Sequence, residues 1–219
     1  MAQMFRTESI VAGVLFITAT GATMVSQVIV APILANADAT SGITGREGAF
    51  VAGVLFEVVN ALASAGIAIA FFPILWVCIR GLAVAYAGLR AIEASTGVGA
   101  AGGLLMVLSP ESAAVGPAWH HWAFLLVLLV FSTSTCVLYP VLFAFRLVPR
   151  VLSVWGLIGG LMLMVSVVLI LFGVLEIGAG TDTLLSLPIW INEMALALWL
   201  ILRGVDMSAV PAERLGGSN

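Results

Sequence analysis

The sequence predicts an all-α fold: a polytopic membrane helix bundle with six transmembrane helices, both termini cytoplasmic, as a single transmembrane domain over residues 1–219. Three observations predict it. Of the 219 residues, 62% are hydrophobic and only 9% charged, against roughly a quarter charged in a soluble domain, and the mean hydropathy is +1.21. The apolar residues fall into six runs, each near the about 20 residues needed to cross a ~30 Å hydrocarbon core. The few cations are all Arg, and they gather on alternate loops. This composition excludes a soluble globular protein, a disordered chain and a nucleic-acid binder. The lack of Lys excludes chemistry that needs an amine nucleophile, such as a retinal Schiff base or pyridoxal phosphate. A net charge of −3 and a pI near 5.2 argue against a polybasic patch for DNA or anionic lipid.

The spans read as 10–34, 50–76, 81–108, 119–145, 151–174 and 185–203. The first is too long for a signal h-region and no A-x-A site follows it, so it is expected to stay in the mature protein. A polar loop from Asn36 to Gly48 separates spans one and two. Ser109, Pro110 and Pro117 bracket the next outer loop, Arg146 to Arg150 makes a tight inner turn around Pro149, and Glu176 to Thr183 makes the last outer loop. With the N-terminus inside, Arg6, Arg80, Arg146, Arg150, Arg203 and Arg214 are cytoplasmic, Arg46 alone is outside and Arg90 is within a span; that is a strong positive-inside bias. Asp38, Glu47, Glu111, Glu176 and Asp182 then fall outside. Trp119, Trp122 and Trp190 form an outer aromatic belt and Trp76, Trp155 and Trp199 an inner one. Cys78 and Cys136 are expected to be free thiols.

Close helix approach is expected at two G-x-x-x-G pairs, Gly99 with Gly103 and Gly156 with Gly160. Span five, nearly without polar side chains between Gly156 and Gly173, belongs at the lipid-facing periphery. The hexapeptide Val-Ala-Gly-Val-Leu-Phe occurs at 11–16 and 51–56, but at opposite membrane faces, and no three-plus-three inverted repeat is evident.

Ionisable residues inside the spans carry the most information: Glu57, Arg90, Glu93 and Glu193. Each costs roughly 2.5–3.5 kcal/mol near a helix centre, so they are expected to meet each other, water or a ligand. Counted at about 1.5 Å per residue, all four fall in the outer half of the membrane. Glu57, Asn60 and Ser64 share one helix face; Tyr86, Arg90, Glu93 and Gly97 share another; Thr20, Thr23 and Gln27 make a milder stripe. The ligand-binding candidates are Glu57, Asn60, Arg90, Glu93, Asn192 and Glu193. His120 and His121 at the outer end of span four are candidate metal ligands, although adjacent helical side chains point about 100° apart and suit an interfacial anchor equally. Three carboxylates face one guanidinium. The excess calls for a protonated acid, a bound cation, a cationic substrate group or a protonated His; the alternative is a structural knot tied by Arg90. The Ser132–Thr135 run has no base beside it and reads as hydroxyls bonded back to their own helix, and Tyr139-Pro140 reads as a kink.

Three segments carry a resemblance. Residues Asn192–Val205 resemble the closing "GE…alWLL-basic-G-V" of the domain-of-unknown-function 4386 family of bacterial multi-pass membrane proteins, departing at Asn192, where Gly is expected. Val148–Gly156 is similar to that family's "lPR-lGvlG" opening of the fifth helix, and Gly88–Glu93 to its "R-x-x-E/Q" third helix. The resemblance implies a membrane protein of six or seven helices and a shared pattern that includes Arg90, Glu93 and Glu193; it implies no particular reaction.

Three functions compete. The first is a binding or transport protein whose outer-facing polar cluster holds a proton, a metal ion or a small cationic or amphipathic molecule. The second is a metal-assisted intramembrane enzyme using Glu57, Glu93, Glu193 and a His. The third is an accessory or structural subunit of a larger membrane complex. The expected partners are the lipid bilayer, a second copy or a membrane complex, with no nucleic acid; the expected location is the cell (inner) membrane. The sequence leaves the cofactor unknown.

Overall fold

The computed structural model describes residues 5–34 and 43–215. Most of the loop expected at Asn36–Gly48, with Asp38 in it, lies outside these residues. The described chain is all-helical: α1 Arg6–Leu34, α2 Glu47–Cys78, α3 Arg80–Leu105 with a 3₁₀ turn Met106–Leu108, α4 Gly116–Ala144, α5 Arg150–Leu171, α6 Gly180–Leu202 and the short α7 Ala212–Leu215. Among the described residues, six helices are long and apolar enough to cross a membrane. They match the six expected spans.

The largest shift in a boundary is at α6, which begins five positions before the expected Leu185. The polar residues there belong to its first turn. Asp182 accepts from Ser166 Oγ on α5 at 2.7 Å and from the Gly178 N–H at 2.8 Å, placing a carboxylate where the helix dipole favours it.

Each helix packs on its neighbours in sequence, and α1 also packs on α6, so the bundle closes as a ring. Small residues set the close approaches. A Cβ on Gly13 of α1 would come within 2.7 Å of the Ala197 carbonyl of α6, and one on Gly103 within 2.5 Å of the Trp119 ring. Gly156 lies against Tyr139, and Gly160 against Thr135. Gly99 is the exception: it faces open space, and it is its carbonyl that is used, accepting from Trp119 Nε1 at 2.9 Å. α5 packs on α4 and α6 and presents Val151, Val154, Ile158, Leu161 and Val165 outward, but α1 and α3 are less buried than it is, so it is not set apart as the periphery of the ring.

The helix ends are tied at one membrane face. Arg6 donates to the Leu200 and Ile201 carbonyls at 3.3 and 2.7 Å, setting a cation at the negative C-terminal end of α6. Arg214 donates to the Cys78 carbonyl at the end of α2. Gly204, at φ +76°, returns its N–H to Leu200 at 3.1 Å and closes α6. The hydroxyls of Ser132, Thr133, Ser134 and Thr135 all donate to carbonyls of their own helix, as expected. Both cysteines are free thiols among the described residues.

Candidate functional site

The inward face of α3 carries Tyr86, Arg90 and Glu93, all buried. Their i, i+4, i+7 spacing puts them on one stripe of the helix. Arg90 Nη1 donates to both Glu93 oxygens, at 3.0 and 2.9 Å. Ser64 Oγ of α2 donates to Glu93 Oε1 at 2.6 Å. The guanidinium carbon of Arg90 lies 5.9 Å from the Tyr86 ring centre and 5.6 Å from that of Phe131 on α4, a cation–π arrangement suited to a charge out of water. Arg90 Nε has no partner among the described residues.

Glu57 does not join this pair. It meets His120 Nε2 at 3.0 Å and accepts from Ser26 Oγ of α1 at 3.4 Å. The single cluster expected from the sequence is thus two: Glu57–His120–Ser26 and Arg90–Glu93–Ser64. Glu57 lies two helical turns, seven positions, toward the α2 N-terminus from Ser64, and His120 is in the first turns of α4. A nearer partner takes each acid. Three carboxylates set against one guanidinium become two satisfied pairs and a remainder, Glu193.

Glu193 is buried on α6 and makes no hydrogen bond among the described residues. Arg90 and Glu93 share its surroundings. All three line a cavity of about 80 Å³ in company with Asn60 and Ser64 of α2, Thr20 and Thr23 of α1, and the aromatic rings of Phe124, Phe131 and Trp190. Five helices contribute to it, and α5 does not. Met24 and Trp190, both lining it, are 47% and 37% exposed, so its mouth lies on the outer surface of the bundle. A further void of about 10 Å³ sits against Arg90 and Glu193, walled by Tyr86 and Tyr139.

Two sequence candidates face elsewhere. Asn192 accepts from Tyr139 OH at 2.6 Å and donates to the Leu152 carbonyl at 2.9 Å, tying α6 to α4 and α5. His121 is exposed, edge-on to Trp122 at 5.1 Å. Among the described residues no three His, Cys, Asp or Glu side chains gather as a metal site. Sequence reasoning missed Ser26, where it had Gln27, and the aromatic walls Phe124, Phe131 and Trp190. Ser26 is signalled by its i, i+3 relation to Thr23; aromatic residues at helical spacing look like ordinary core.

No curated protein and no solved structure matches the chain. The family described as "Domain of unknown function (DUF4386)" matches residues 11–204, which include every residue of the cavity, and the chain therefore belongs to that family.

Proposed function

We propose that this protein binds a small cationic or amphipathic molecule in the cavity around Glu193, to retain it or to carry it across the membrane. The observation that carries this is a buried carboxylate with no hydrogen-bond partner, in a cavity where the neighbouring guanidinium is already matched by another acid. Arg90, Glu93 and Glu193 together leave one negative charge when ionised. Phe124, Phe131 and Trp190 offer π faces to a cation, and Arg90 Nε–H offers a donor to an acceptor atom on the same molecule. An amine bearing a hydroxyl or carbonyl has that combination. The mouth at Met24 and Trp190 favours a molecule that arrives through the lipid. On the Arg asymmetry, both termini are cytoplasmic, the cavity lies in the outer half, and the location is a bacterial cell membrane.

The test is thermal stability of the purified protein with Na⁺, tetramethylammonium and ethanolamine, for the parent and for Glu193→Gln. At least one probe should stabilise the parent. Glu193→Gln should remain folded, since Gln has the shape of the neutral acid, and should lose the stabilisation. If the variant responds like the parent, or if no probe stabilises the parent, the polar cluster is a structural knot and the binding reading falls.

A further inference from the structure

The arginines divide by what they touch. Arg90 is matched by Glu93. Arg6 and Arg214 are engaged with carbonyls at the ends of α6 and α2. Arg80 lies over the Trp76 ring at 5.3 Å. Arg146, Arg150 and Arg203 gather in one place: all three line one cleft of about 650 Å³, where α4 ends, α5 begins and α6 ends, with Arg150 also lying over the Phe143 ring at 5.1 Å. None forms an ion pair among the described residues. Asp206 is the lone acid in the cleft, and its carboxylate is engaged by the Ser208 N–H at 2.9 Å.

Two features of the backbone reinforce the positive character. The cap position of α5 is Pro149, which supplies no side-chain acceptor, so the positive end of a 22-residue helix opens at the cleft. Arg146 sits at φ +53° in the turn that closes α4. The Arg146 N–H returns to Phe143 at 3.3 Å and the Leu147 N–H to Leu142 at 3.0 Å, a pattern whose left-handed residue is usually Gly. The chain keeps a guanidinium where the backbone favours no side chain at all. Leu147, Val148, Val205 and Met207 supply an apolar wall to the same cleft.

We propose that this cleft binds the phosphodiester headgroup of an anionic phospholipid. The ends of spanning helices lie at headgroup depth. Planar guanidiniums match phosphate oxygens two at a time, and the apolar wall suits the start of an acyl chain. The whole-chain charge of −3, which argued against an anionic-lipid patch, averages over acids that lie elsewhere. The site is independent of the Glu193 cavity.

The experiment measures lipid retention and thermal stability of the full chain in nanodiscs of phosphatidylcholine, with phosphatidylglycerol titrated in at constant acyl composition, and separately with inorganic phosphate. Phosphatidylglycerol should bind preferentially. Arg146→Gly with Arg203→Gln should weaken that preference about 25-fold, at about fivefold per cation near the surface. Arg146→Gly relaxes the left-handed turn, so this variant keeps its fold; Arg203→Gln alone, expected to lose about fivefold, serves as a second reading. Arg80→Gln should leave the preference unchanged. Equal binding of the two lipids, an unchanged preference in the double variant, or an equal loss in Arg80→Gln overturns the proposal. A full response to inorganic phosphate alone overturns the lipid assignment in favour of a soluble anion.

Discussion

Glu93 depends on two donors inside the bundle, Arg90 and Ser64, and the removal of either leaves a buried carboxylate short of partners. Arg90→Leu should destabilise the protein by about 3–5 kcal/mol, because it uncovers a charge that is already desolvated. Arg90→Leu combined with Glu93→Gln should cost less than the single change, and detergent-induced unfolding of both variants measures the difference. A double variant less stable than Arg90→Leu would show that the pair does not share its charge in this way. The sequence exposed which residues are out of place in a membrane and at what depth, since charge and helical rise suffice for that. It did not expose the pairing, because the choice of His120 for Glu57 and of Arg90 for Glu93 depends on how each helix is rotated about its axis. The neighbours Asn192 and Glu193 illustrate the one rotation that was available in advance: about 100° separates them, so one faces the cavity while the other ties helices together.

At the scale of the helices, glycine decides which pairs touch. A Cβ on Gly156 would collide with the Tyr139 ring and come within 2.6 Å of Asn192 Oδ1. Gly156→Ala should therefore force α5 away from α4 and α6 and cost roughly 1–3 kcal/mol. Gly99→Ala meets open space and should be neutral or slightly stabilising. Unfolding of the two variants side by side checks the contrast; equal costs would refute the packing description. In sequence the two G-x-x-x-G pairs look alike. Three of their four glycines make close approaches, and the fourth exposes its carbonyl to Trp119 instead. Spacing marks where approach is permitted, whereas the facing helix decides whether it happens. The lipid-facing side of α5 was legible because its polar residues are so few; of its two buried hydroxyls, Ser166 donates to Asp182 and Ser153 has no partner among the described residues.

For the whole molecule, six apolar runs led directly to six helices, while the ring order did not follow from the runs: each helix next to its neighbour is the simplest arrangement, but the closure of α1 on α6 rests on Gly13 and Arg6. Orientation remains a prediction of the Arg distribution. A membrane-impermeant thiol reagent applied from outside should label Glu111→Cys and spare Ser208→Cys, both in a background without Cys78 and Cys136; the reverse pattern would invert the protein and move the Glu193 cavity to the cytoplasmic half. The ring closure also has a consequence in time. Arg6 and its acceptors on α6 are 194 to 196 positions apart. At about 5–20 residues per second, a ribosome takes roughly 10–40 s to bridge that gap. Through that interval α1 has α2 to pack on but keeps Gly13 bare and Arg6 uncommitted, so a chaperone or insertase that shields one flank of a nascent helix would have its longest task here.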